Sequence, residues 1–101
     1  MADEKTKRAP IKIRIESDEQ TRQGAYCNSS MVSHTAEEFL ADFLFLTAKP
    51  PYGKLHSRIL MSPGHAKRLA RMLTEAVHGF EKKFGPIKES RPPVGNPDIV
   101  H

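Results

Sequence analysis

Only one cysteine, Cys27, occurs in the chain, so neither an intrachain disulfide nor a zinc site built on several thiolates can form within one copy. No apolar run approaches the roughly 18 residues of a membrane span, and the N-terminus lacks a signal-peptide core. These absences lead us to expect a cytoplasmic protein with no membrane partner. His34, His56, His65 and His78 supply ring nitrogens, but no His-x-x-x-His pair and no Cys-x-x-Cys accompanies them. His65 and His78 stand thirteen residues apart, several helical turns from each other. Neither a metal nor a cofactor is expected. Aromatic residues make up only 7% of the chain, Tyr26 and Tyr52 are isolated, and no base-reading module is recognisable.

What is present describes one small domain. The 101 residues are 38% hydrophobic and 28% charged, with a formal net charge of +4. Residues 1–10 are polar and charged and suit a disordered N-terminal tail. Residues 86–101 carry Pro86, Pro92, Pro93 and Pro97 and suit an extended Pro-rich tail. A single α+β domain is left at residues 11–85. A core of that size is marginal alone, and association with a second copy is a common remedy.

The clearest segment is residues 62–85. Ser62 can cap a helix, Pro63 suits its first position, and Gly85 followed by Pro86 ends it. Between them Ala66, Leu69, Ala70, Leu73, Ala76, Val77, Phe80 and Phe84 recur at three- and four-residue steps, which predicts a long amphipathic helix docked through this stripe. Leu73, near the centre of the arc, is expected to be buried. Lys67, Arg71, Glu75, His78 and Lys82 occupy the other face.

The preceding chain predicts strands. Ile11, Ile13 and Ile15 alternate with Lys12, Arg14 and Glu16, the period-two pattern of a strand with one buried face. A polar connection over residues 17–24 leads to a weaker strand near residues 25–34. Residues 39–46 form a dense apolar run interrupted only by Asp42, a third strand apolar on both faces. Thr35 with Glu38 offers a capping box that would instead open a short helix here; length and aromatic content favour strand. Residues 49–53 make a turn. Leu55, Ser57, Ile59 and Met61 then line one face of a fourth strand, with His56, Arg58 and Leu60 on the other.

The expected fold is therefore a four-stranded, largely antiparallel sheet followed by one long C-terminal helix, with flexible tails at both ends. One helix covers one sheet face. A third strand apolar on both sides needs a second cover, which predicts a homodimer or a higher even assembly.

The residues also carry a resemblance. Tyr26, Asn28, Val32, His34, Thr35, Glu37, Glu38, Phe39, Asp42 and Phe43, then His56, Ser57 and Arg58, then Pro63, His65, Ala66, Lys67 and Leu69, and finally Phe80, Glu81, Phe84 and Gly85 resemble a bacterial and archaeal family known as domain of unknown function 3467. The resemblance implies the same order of segments and no activity. Sheet followed by long helix is also similar in plan to the export chaperones of the Sec pathway, a likeness of topology that implies no residue role.

Catalytic groupings are unconvincing. Cys27 with His34 or His56, or Ser57 with His56 and Asp42, can be drawn as a dyad or triad, yet neighbours on a strand point to opposite faces, so His56 and Ser57 do not meet. The expectation is a protein that is not an enzyme. Asp42, in an apolar strand, calls for a partner such as His34, His56 or Arg58.

The basic surface is the better lead. His65, Lys67, Arg68 and Arg71 crowd the start of the helix, where the macrodipole disfavours cations. An anionic partner or a protein surface would account for them, with Arg58 and His56 as further contact candidates. A solvated face offset by Glu75 and the Glu37–Glu38 region is the bland alternative. Two functional expectations follow: a small protein-binding or adaptor module that forms a homo-oligomer and holds an unidentified protein partner, or a basic nucleic-acid-binding accessory or regulatory protein.

Overall fold

The computed structural model describes residues 10–90, so residues 1–9 and 91–101, which hold almost all of the expected N-terminal tail and most of the Pro-rich tail, lie outside the described residues. The elements in chain order are α1 (Glu19–Gln23), β1 (Ser29–His34), β2 (Phe39–Ala48), β3 (Pro51–Met61) and α2 (Pro63–Phe84). The class is α+β. The strands form a three-stranded sheet in the order β1-β2-β3, with both pairings antiparallel.

Short turns account for that topology. After β1, the Thr35 amide donates to the Glu38 carbonyl at 2.9 Å, while Thr35 Oγ1 accepts from the amides of Glu37 and Glu38 at 3.2 and 3.3 Å. A hydroxyl accepting from the amide three residues on is also what a helix cap does. Here it closes a hairpin, and residues 39–46 are strand. The second hairpin turns at Lys49 and Pro50, whose peptide bond is cis, and Thr47 Oγ1 donates to the Pro50 carbonyl at 2.8 Å. β3 consequently starts at Pro51, inside the segment expected to be turn.

β2 is the centre of the sheet and supplies the core. Ala41, Asp42, Leu44 and Leu46 are the buried residues among those described, and no residue of α2 joins them. Asp42, Leu44 and Leu46 share one buried face of the strand; on the other Ala41 is buried, Phe43 half-buried and Phe45 exposed, so the expectation of a strand buried on both sides holds only in part. Leu46 faces Gly53 across the pair, and its Cδ2 lies 2.7 Å from where a Cβ on Gly53 would stand. Any larger residue at position 53 would make the Leu46 side chain shift. Asn28 lengthens the sheet beyond β1: its side-chain amide donates to the Leu46 carbonyl and accepts from the Leu46 amide, both at 2.9 Å, as a strand backbone would.

Three expectations are corrected. Residues 11–16 are not a strand; they belong to no element, and Ile11, Ile13 and Ile15 are 79%, 76% and 85% exposed, so the sheet has three strands rather than four. Alternation supplies a face but not an edge to pair with. The connection that follows contains a short helix, capped by Asp18 accepting from the Thr21 amide at 2.7 Å. In β3 the register shifts opposite Phe43 and Leu44, leaving His56 as the extra residue and pairing Leu55 with Leu44. Leu55 therefore lies on the face of Arg58 and Leu60, not with Ser57, Ile59 and Met61.

The helix is bounded as its residues require. Ser62 Oγ accepts from the His65 amide at 3.2 Å, Pro63 is the first helical residue, and Gly85 ends it at φ 100°. Its stripe is a correction of a different kind. Leu73 is 63% exposed, and α2 makes no substantial contact with any strand. The reason lies in the connection, since Ser62 alone separates β3 from α2 where strand-to-helix links usually take about 2–6 residues. One extended residue is too short to turn the helix back over its own sheet.

Candidate functional site

Two surfaces and one ion pair emerge from this frame. The ion pair is Asp42 and Arg58, set directly opposite each other on β2 and β3. Arg58 Nε donates to Asp42 Oδ1 at 2.8 Å and Nη2 to Oδ2 at 3.0 Å, a two-pronged contact on a carboxylate that is 3% exposed. The hydrogen bonds that Arg58 donates to Asp42, more than the carboxylate's charge, raise the Arg58 pKa above its ordinary value. Of the three partners expected for Asp42, the structure selects Arg58. His34 instead stacks on Phe39 at 5.1 Å, and the His56 ring lies 6.5 Å from that of Phe45.

The basic surface sits on the first turns of α2. His65, Lys67, Arg68 and Arg71 are all exposed there, and Arg68 Nη1 reaches back to within 3.8 Å of a Cβ position on Gly64. Arg58 and His56 do not belong to this helix; they lie on β3, with the Arg58 guanidinium already holding Asp42 and His56 displaced onto the bulge. The expected site residues therefore divide into an exposed helical group of four and two strand residues in other roles.

The second surface is apolar and was read from the sequence as core. Along α2, Leu69 and Val77 are each 38% exposed, Phe80 49%, Met72 62% and Phe84 67%. Phe80 and Phe84 contact each other at 4.9 Å between ring centres, with Lys83 Nζ 5.3 Å above the Phe84 ring. On the sheet, Val32, Ile59 and Leu60 are also exposed, as are Ile11, Ile13 and Ile15 ahead of α1.

Other chemistry is sparse among the described residues. No group of three or more His, Cys, Asp or Glu side chains is placed to hold a metal ion, and no helix is long and apolar enough to cross a membrane. Cys27 is a half-buried free thiol. Glu16, Ser17, Asp18 and Thr21 line an open depression of about 500 Å³ beside α1. Hydrogen bonding from Thr21 holds the Asp18 carboxyl below the usual carboxylate range, which makes this acid a helix cap.

Comparison with known proteins gives one match. The model of a family described as a protein of unknown function, DUF3467, matches residues 1–89. No curated protein and no solved structure matches the chain, and the expected likeness to Sec export chaperones is not shown.

Proposed function

The chain belongs to the DUF3467 family, and from its surfaces we propose that it is a non-enzymatic protein-binding or adaptor module that works as a homo-oligomer. One observation carries this reading: a 22-residue amphipathic helix with no buried residue, attached to a sheet that it does not cover. Leaving such a stripe in water forgoes about 25 cal/mol for each Å² of apolar surface that could be buried. A second copy offers a matching surface at no cost in new sequence. The helix is about 33 Å long at 1.5 Å per residue, close to the length of the β2–β3 hairpin at about 3.3 Å per residue. An assembled core would leave the exposed basic face to hold another protein.

A second reading has its own observation. Lys67, Arg68 and Arg71 are exposed together at the start of α2 on a chain of net charge +4, which suits phosphate contacts of a nucleic-acid accessory protein.

One pair of measurements separates the two. Light scattering of the full chain should give an even multiple of its 11.4 kDa mass at micromolar concentration, and a monomer at every concentration would remove the oligomer. Titration of a random duplex at low salt should show no binding. Salt-sensitive binding that flattens in the Lys67→Gln, Arg68→Gln, Arg71→Gln variant would instead favour the nucleic-acid reading.

A further inference from the structure

We propose that residues 11–16 of one copy add to the free edge of β1 in a second copy as a fourth strand, an exchange that rests on the homo-oligomeric reading above.

The donor segment has the pattern of a strand without the pairing of one. Ile11, Ile13 and Ile15 alternate with Lys12, Arg14 and Glu16, yet all three isoleucines are at least 76% exposed. No described residue makes a hydrogen bond to the backbone of this segment. A half-apolar strand is stable only when its backbone finds a ladder and its face finds a core. Along the chain, α1, capped by Asp18 and stopped at Gly24 with φ +80°, separates the segment from β1.

The acceptor is chosen by comparing the two edges. β3 carries the devices that deter pairing: Pro51, Lys54, Arg58 and the bulge at His56. Lys54 would also repel Lys12 and Arg14. β1 has no proline, lysine, arginine or bulge, and its six residues equal the length of the donor. Val32, 68% exposed on β1, offers an apolar neighbour for the isoleucines.

Area supports a second copy as the source of the strand. At roughly 150–200 Å² for each large apolar side chain, the fractional exposures leave on the order of 1,000 Å² of surface on the isoleucine segment and the α2 stripe. A stable interface needs about 800 Å² from each partner. In a two-fold pair each copy gives one strand and receives one, so the assembly closes without leaving an open edge on β1.

The test exploits the period of two. Light scattering of the full chain across a concentration series compares wild type with Ile13→Asp, which places a carboxylate on the apolar face, and Lys12→Asp, which places it on the polar face. Ile13→Asp is expected to raise the dissociation constant about a hundredfold or more, with Lys12→Asp close to wild type. An Ile13→Asp protein that assembles as wild type does, or equal losses in both variants, would overturn the exchanged strand while leaving the homo-oligomer in place. A wild type that is always monomeric would remove both. Should Ile13→Asp not fold, hydrogen exchange on wild type decides: amides of residues 11–16 protected when concentrated and released on dilution support exchange, whereas protection that persists in the monomer places the strand on its own sheet and overturns it.

Discussion

Asp42 is the residue on which most of the sheet's electrostatics turn. It sits in the central strand, 3% exposed, between the apolar neighbours Ala41 and Phe43, and is tolerated because Arg58 faces it across the ladder with two donors. A buried pair of this kind is weak evidence for net stability, but removing one member strands the other. Arg58→Leu should therefore lower the melting temperature more than the double variant Asp42→Leu, Arg58→Leu, in which no charge is left buried. Thermal unfolding of the two singles and the double measures the coupling, and additive losses would mean that the pair is not energetically linked. Nothing in the residue types of β3 marks Arg58 rather than His56 as the partner; register alone brings it opposite Asp42.

At the scale of the element, β2 and α2 have opposite dependences. β2 is buried by its own chain, so Leu46→Ala should cost about 2–5 kcal/mol at any protein concentration. No described residue buries α2, so Leu73→Ala should cost less than about 1 kcal/mol in the monomer and act instead by weakening the proposed assembly. Chemical denaturation at low and high concentration distinguishes the two. A large loss for Leu73→Ala under dilute conditions would mean that the helix packs on its own sheet after all. The ends of α2 were legible in Ser62, Pro63 and Gly85 because capping is decided within a turn of chain. What the stripe packs against was not, because periodicity names a face and not its partner.

For the whole molecule, the proposed homo-oligomer would complete the fold by mass action. A sheet with a few buried residues in β2, joined to an uncovered helix, has little stability to draw on as a monomer. Its melting temperature should rise with protein concentration, as it does whenever the native state is the one that binds. Calorimetry over a hundredfold range of concentration tests this, and a midpoint independent of concentration would show that one copy holds the fold alone. The candidate surface follows the same logic. The sequence grouped His65, Lys67, Arg68, Arg71, Arg58 and His56 by charge, whereas the structure separates the helical four from the strand pair.

The sequence by itself determined what short-range chemistry can decide: a helix capped at Ser62 and stopped at Gly85, an apolar strand through residues 39–46, a turn near Lys49 and Pro50, and strands close enough in sequence to run antiparallel. Each of these depends on groups a few residues apart. Tertiary structure alone decided the rest: the bulge at His56 that moves Leu55 to the other face, the choice of Arg58 for Asp42, the unpaired isoleucine segment and the uncovered stripe of α2. Those outcomes turn on register and on what lies across a gap. An alternating or amphipathic pattern states that a face requires burial, and only the positions of the other elements state whether the same chain can supply it.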